Sequence, residues 1–223
     1  MRQVSTAMRV GYDQFHSLLL SRRSIRRFTD QPVERDMLAK IIDSASTAPM
    51  GIPPSEVGVI VWDSPEKVKK LTEDMLDGIR FLRRMLTPLG IMLMRPFIGK
   101  EGAQAFREFM RPVADIYVKK AKEGEDWFFY SAPAAVFFYG SAYADPTDPV
   151  IATTYAMIAA QSLGLGTCML GFPGYIFRSS KKLRAKYGLP SKIQPGVMMV
   201  LSHPSIHYFH AVKRRFADVR YYP

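Results

Sequence analysis

Cysteine is nearly missing from this sequence: Cys168 is the only one in 223 residues. A single thiol excludes an intrachain disulfide framework and a cysteine-built zinc or iron–sulfur site. It suits a reducing, cytoplasmic compartment. Acidic residues are outnumbered as well. Twenty Asp and Glu face 31 Lys and Arg, a formal charge of +11. That balance favours anionic partners: nucleic acid, an acidic membrane face or a phosphorylated small molecule. Long apolar runs are absent, whereas a bilayer crossing takes about 20 residues. The longest suspect, Leu86 to Ile98, is broken by Pro88, Arg95 and Pro96, and it reads as buried or as a binding surface. The opening MRQVSTAMRVGYDQF has no apolar stretch of the kind a signal peptide needs. There is no GxSxG, no HExxH and no P-loop.

What is present is enough for one sizeable core. The chain is 48% hydrophobic and 12% aromatic, which excludes a wholly disordered protein. Without an internal repeat or a linker, residues 1–223 read as a single domain. Asp13 is placed to cap a short helix whose Phe15, Leu18 and Leu19 share a face, fraying near Ser21. Pro32 opens a second helix with Met37, Leu38, Ile41, Ile42 and Ala45 as its apolar face, stopped by Pro49. Val57 to Trp62 is a continuous apolar run, the pattern of a buried central strand. Ser64-Pro65-Glu66 starts another helix, with Val68, Leu71 and Met75 inward. Residues 76–127 are rich in Met, Arg and Lys and interrupted by prolines. They predict two or three broken helices forming an excursion, either gap-filling or a soft lid.

The second half is more regular. Ala134 to Tyr139, Thr167 to Leu170 and Val197 to Leu201 read as strands. Asp148-Pro149 looks like an N-cap followed by a first-turn proline, for a helix running to Leu163 and Gly164. A basic helix is expected at Ser179 to Tyr187, ending at Gly188. From Ala211 the tail is basic and aromatic. Strands separated by helices predict an α/β (α+β) layer structure around one core.

Arg22-Arg23-Ser24-Ile25-Arg26-Arg27-Phe28 is the densest charge feature. An arginine run is often a solvated surface. Here it sits at a helix end, Ser24 supplies a neutral hydroxyl, and Ile25 and Phe28 offer anchors to a core. Guanidiniums bind phosphate through paired, charge-assisted hydrogen bonds, each contributing roughly 1.5–3 kcal/mol. Lys213-Arg214-Arg215 is the second basic cluster. If both fold to one place, they make a dianion site.

These segments carry a resemblance. SRRSIRRF, then PV and LAKIIDSASTAP, then MGIPPS and VGVIV, resemble the opening of the nitroreductase family of FMN-dependent oxidoreductases. SAPAAVFFY, AAQSLGLGTCMLGF and KRRF follow in that family's order. The similarity covers about residues 15–73 and 130–216. It implies a central mixed sheet flanked by helices, in an intertwined homodimer whose tail from about residue 211 wraps the partner subunit. It further implies FMN as cofactor and electron transfer from NAD(P)H, or from an acidic carrier such as ferredoxin, to an electron-poor acceptor such as a nitroaromatic or quinone. Arg22 and Ser24 match family residues that bind the FMN phosphate, with Arg23 on the same segment. Arg26 matches a basic residue at the flavin N1–O2 edge, where positive charge tunes the reduced ring. Lys213 and Arg215 match the tail residues that complete the phosphate site. Pro49, Met50, Gly51 and Pro53 match a loop laid against the flavin by the other subunit. Leu170 and Gly171 match the backbone facing N5 and O4. Many members carry Asn at the place of Pro53 and Gln at the place of Ser55, so this pocket departs from the usual pattern.

Other features read as structural. Gly164-Leu165-Gly166 fails the dinucleotide pattern because position 169 is Met, and it follows a helix rather than a strand. Cys168 reads as a small buried hydrophobe. His203, His207 and His210 lack further ligands for a metal. Asp145 and Asp148 resemble a carboxylate pair, but capping by Asp148 accounts for them. Two other functional classes stay open: a flavin or nucleotide sensor without turnover, and a basic nucleic-acid-binding module using Phe28, Tyr208, Phe209 and Phe216, for which no motif speaks.

Overall fold

The computed structural model describes residues 9–51 and 56–222. Thirteen stretches of regular structure appear among them. The first helices are α1 (Tyr12–Ser21) and α2 (Arg35–Ala45), and strand β1 (Val57–Trp62) follows. Then come α3 (Pro65–Met85), α4 (Pro88–Ala105), a π-helical turn (Phe106–Met110) and α5 (Arg111–Lys122). The second half holds β2 (Ala134–Gly140), α6 (Asp148–Ser162), β3 (Gly166–Leu170), α7 (Phe172–Ser179), α8 (Lys181–Lys186) and β4 (Val197–Ser202).

The strands form one sheet in the order β1-β2-β4-β3. Every pairing is antiparallel: Ile60 faces Phe137, Val136 faces Met199, and Cys168 faces Val200. The mixed sheet expected from the family resemblance is therefore corrected among the described residues; the one parallel contact is an isolated bridge between Ser24 and Thr167. Alternation along the strands divides the core in two. Phe137, Cys168, Met198 and Val200 pack with Val68, Leu71 and Met75 of α3, Val118 of α5 and Phe177 of α7. Val136, Phe138, Met199 and Leu201 pack with Leu38, Ile41 and Ala45 of α2 and with Ala152, Ala156 and Ala160 of α6. Alanines every four residues give α6 a smooth stripe, so it lies close on the sheet. The result is three layers: helices, sheet, helices.

Several boundaries differ from expectation for local reasons. Asp13 lies in the first turn of α1, after an N-cap at Gly11. Pro32 does not open α2, which starts at Arg35 after Glu34; residues before it are drawn into extended contacts, with Thr29 N–H donating to the His203 carbonyl and Ser202 Oγ to the Gln31 carbonyl. The face foreseen for α2 is the face it buries. β1 has the expected bounds but is an outer strand, half-buried rather than central. Ser64 caps α3 as expected, accepting from Lys67 N–H, and Pro65 takes its first turn. The excursion is helical and broken: α3 runs on to Met85, and α4 is kinked at Gly99, where φ is 73°. α7 was not anticipated on the sequence; Pro173 occupies its first turn, where a missing N–H costs nothing.

Gly174 marks the closest approach of α7 to the sheet. A Cβ there would lie 2.0 Å from the Gly196 carbonyl oxygen, whereas one on Gly171 would meet nothing within 4 Å. Gly174→Ala is expected to destabilise by about 3 kcal/mol or more, since neither backbone can yield cheaply. Gly171→Ala serves as the near-neutral control, and urea unfolding midpoints compare the two.

Candidate functional site

The first basic cluster begins where α1 stops. Beyond Arg22 the chain runs beside β3: Ser24 bridges Thr167, and the Ile25 amide donates to the Thr167 carbonyl oxygen at 2.8 Å. Position 166 permits this. A Cβ on Gly166 would sit 2.8 Å from three Ile25 side-chain carbons. Ile25 is buried and pins the segment, and Phe28 packs on the α3–α5 side of the core. In this extended stretch Arg22, Ser24 and Arg26 follow one another at every second residue.

Arg22 is half-buried, with Nη1 3.7 Å from the Met157 sulfur of α6. Burial pulls its guanidinium pKa below the ordinary value, and the charges of Arg214 and Arg23 act in the same direction. Arg26 stands near Cys168 and Tyr130, with its Cζ 5.7 Å from the Tyr130 ring centroid. Cys168 raises the Arg26 pKa most strongly, Tyr130 adds to this, and desolvation opposes it. Burial pushes the Cys168 thiol up, against the pull of Arg26 and Arg22. The thiol is thus neutral near pH 7 and supplies no counter-charge. Among the described residues, none of Arg22, Arg23, Arg26, Lys213, Arg214 and Arg215 is ion-paired with a carboxylate. Thr167 Oγ1, in the residue bridged to Ser24, is buried without a hydrogen-bond partner.

The tail returns to this edge. Arg23 lies over the Tyr208 ring, 4.5 Å from its centroid, and its Nη1 is 3.4 Å from the His210 carbonyl oxygen. Arg214 is the tail residue whose charge reaches Arg22. Lys213 and Arg215, singled out on the sequence, flank it and are exposed. At the far end of β3, Leu170 is half-buried and Gly171 is exposed at the N-cap of α7. Arg22, Ser24, Arg26, Leu170 and Gly171 therefore follow one sheet edge.

The loop after α2 lies elsewhere. Gly51 N–H donates to Asp148 Oδ1 at 3.0 Å, in the first turn of α6. Met157, beside Arg22, is nine residues further along that helix, roughly 13 Å at 1.5 Å per residue. So Pro49, Met50 and Gly51 do not join the arginines within this chain. Pro53 and Ser55 lie outside the described residues. A cleft of about 310 Å³, lined in part by Ile42, Met50, Val57 and Ala152, borders this loop rather than the arginines. Asp148 does not cap its own helix, whose N-cap is Thr147. It is 3% exposed and holds Gly51 instead, while Asp145 Oδ1 accepts from Thr147 N–H and Oγ1 at 2.8 and 2.6 Å. No local pattern could have revealed a contact spanning 97 residues. No group of three His, Cys, Asp or Glu residues suited to a metal ion occurs among the described residues. His203 Nε2 lies 3.9 Å from Glu34, and His207 and His210 are exposed on the tail. No described helix is long and apolar enough to cross a membrane.

Comparison with known proteins bears on this edge. The sequence pattern of the Nitroreductase family matches residues 19–202. An FMN reductase [NAD(P)H] from Bacillus subtilis (strain 168) is 26% identical over 188 residues, 84% of this chain and 64% of that protein. Iodotyrosine deiodinase 1 from Rattus norvegicus is 31% identical over 81 residues, 35% of this chain and 28% of that protein. The chain thus spans less than two thirds of the length of either curated relative. A crystal structure of a nitroreductase with bound FMN from Desulfitobacterium hafniense DCB-2 superposes with a TM-score of 0.66 at 18% identity, covering 94% of this chain and 98% of that one.

The chemistry of this edge is testable without any ligand. Because burial raises the Cys168 pKa, labelling by a thiol reagent should be slow at pH 7 and should accelerate only above the ordinary thiol range. Rates measured from pH 6 to 10 check this; a fast plateau reached below pH 8 contradicts it. Asp148→Ala leaves the Gly51 amide without its partner and is expected to cost about 1–3 kcal/mol in urea unfolding.

Proposed function

Because this chain belongs to the nitroreductase family, we propose that it is an FMN-dependent oxidoreductase passing electrons from NAD(P)H to a small electron-poor acceptor, a nitroaromatic or a quinone. One observation carries the reading. Arg22, Arg26 and Arg214 gather at one sheet edge with Ser24, and no carboxylate of the described chain neutralises them. Positive charge gathered without an internal partner calls for an external anion. A phosphate monoester suits this donor set, in which planar guanidinium forks stand beside a hydroxyl.

Bound there, FMN supplies the two-electron chemistry. The chain's own residues bind and orient. Arg22 and Ser24 are assigned to the phosphate, with Arg23 on the same segment and Lys213, Arg214 and Arg215 completing it from the tail. Arg26 is assigned to the ring, where a fixed positive charge favours the electron-rich reduced form. Leu170 and Gly171 present backbone at the end of β3. No side chain is assigned as a general acid; protons come from solvent.

The loop residues Pro49, Met50 and Gly51 are assigned to the site of a second copy, since within one chain they lie well away from the arginines; Pro53 and Ser55, which follow in the sequence, are assigned with them. A homodimer follows. Exposed apolar residues support it: Tyr12, Phe15, Leu19 and Leu20 on α1, and Phe209, Phe216, Tyr221 and Tyr222 on the tail. The tail then wraps the partner subunit.

Three measurements test this reading. FMN titrated into apoprotein should bind, and Arg22→Ala should weaken binding roughly tenfold or more, the worth of one charge-assisted bond. Arg214→Ala should weaken it less; equal, negligible losses would show that the phosphate site is misplaced. Anaerobic mixing of the FMN-loaded protein with NADH, NADPH and reduced ferredoxin in parallel should bleach the flavin fastest with a nicotinamide. Sedimentation should give a mass near twice that of the chain.

A further inference from the structure

Within the FMN reading above, on which it rests, we infer that Tyr130 is a positioning residue whose ring, fixed by Asp126, holds the Arg26 guanidinium at the edge of β3. The argument begins in the backbone. Tyr130 and Ser131 have φ of 58° and 51°, and they are the non-glycine residues with positive φ among those described. Such a conformation is unfavourable for a bulky side chain and persists only where the surroundings impose it. The imposing group is Asp126. Its Oδ1 accepts from the Phe128 and Phe129 amides, each at 2.9 Å, and its Oδ2 accepts from the Ser131 amide at 3.1 Å. Thr72 Oγ1 of α3, buried, adds a contact to Oδ2 at 3.3 Å. One carboxylate thus ties three amides of the turn, those on either side of Tyr130 included, to a core helix.

The neighbouring rings fix the rest. Phe128 packs on Tyr117 of α5 at 5.2 Å between centroids, and edge-on against Phe129 at 4.8 Å. With the turn held on both sides, the Tyr130 ring projects to Arg26, and the guanidinium carbon lies 5.7 Å from its centroid. An arginine at this distance from an aromatic face is attracted by the ring quadrupole. Arg26 itself is exposed and is not ion-paired among the described residues, so the Tyr130 ring is a contact that restrains a long, flexible side chain. A strained turn held by three amide hydrogen bonds to one carboxylate is more than a link between α5 and β2 requires. Its product is the place of one charge.

The test separates the ring from the turn. Tyr130→Asn removes the ring while keeping a residue that tolerates positive φ; Tyr130→Gly does the same without strain and serves if the Asn variant folds poorly. Tyr130→Phe keeps the ring. Apoprotein melting monitors the fold, and the dissociation constants of oxidised and reduced FMN are measured for each variant, for Arg26→Gln and for the double variant. Tyr130→Asn should weaken reduced FMN relative to oxidised FMN by about two- to fivefold, the scale of a cation–π contact at an exposed site. Tyr130→Phe keeps the ring but drops the hydroxyl beside Arg26, and should lose less than Tyr130→Asn. In the Arg26→Gln background, Tyr130→Asn should add nothing. Wild-type-like behaviour of Tyr130→Asn and Tyr130→Gly, or an effect that adds in full to that of Arg26→Gln, overturns the inference while leaving the FMN reading intact. Failure of the wild type to bind FMN overturns both.

Discussion

Everything at the candidate site depends on how closely one extended segment lies against β3. That approach is set by Gly166, since any larger residue would drive a carbon into the branched side chain of Ile25. Once Ile25 is seated, the alternation of an extended chain does the rest. Arg22, Ser24 and Arg26 succeed one another along the sheet edge, and Arg23 turns to the other side to meet Tyr208 of the tail. A single absent side chain thereby converts a run of arginines, which in another setting is solvated surface, into an ordered row. The helix preceding β3 contributes as well, since Gly164, with φ of 78°, closes α6 and sends the chain into the strand.

Much of this was legible in the sequence, where local chemistry dictates the outcome. Ser64-Pro65 starts α3 because a hydroxyl cap and a first-turn proline act over four residues. The apolar face of α2 follows from periodicity, and the strand at Val57–Trp62 from its continuous apolar run. The arginine-rich segment was conspicuous by density, and its apolar anchor at Ile25 was visible as a break in the charge. What escaped notice is non-local. The position of β1 at the sheet's edge depends on which strands flank β2, and nothing in VGVIVW records that. Pro32 looked like a helix start, yet pairing with the 202–204 region holds those residues extended. Asp148 was read as a cap because it stands immediately before a proline suited to a first turn. Its hold on Gly51 needed coordinates. The tail is a milder case: Lys213 and Arg215 were singled out, while Arg214 between them is the residue that acts on Arg22.

Two carboxylates, Asp126 and Asp148, share a role despite lying on different layers. Asp126 accepts from three loop amides and Asp148 from one, and neither is engaged in a salt bridge among the described residues. In a chain with an excess of cations this is a notable use of scarce negative charge. Neither acid is ion-paired with the arginines among the described residues, so the cationic edge stays uncompensated.

That lack of compensation ties ligand supply to the lifetime of the protein in the cell. A chain that holds like charges together without an anion of its own is least stable when empty, and any dianion that settles there raises its unfolding free energy by mass action. The empty form is the one presented to proteases, and a difference of one or two kcal/mol is enough to change steady-state abundance several-fold. Abundance of this protein should therefore follow the availability of its ligand.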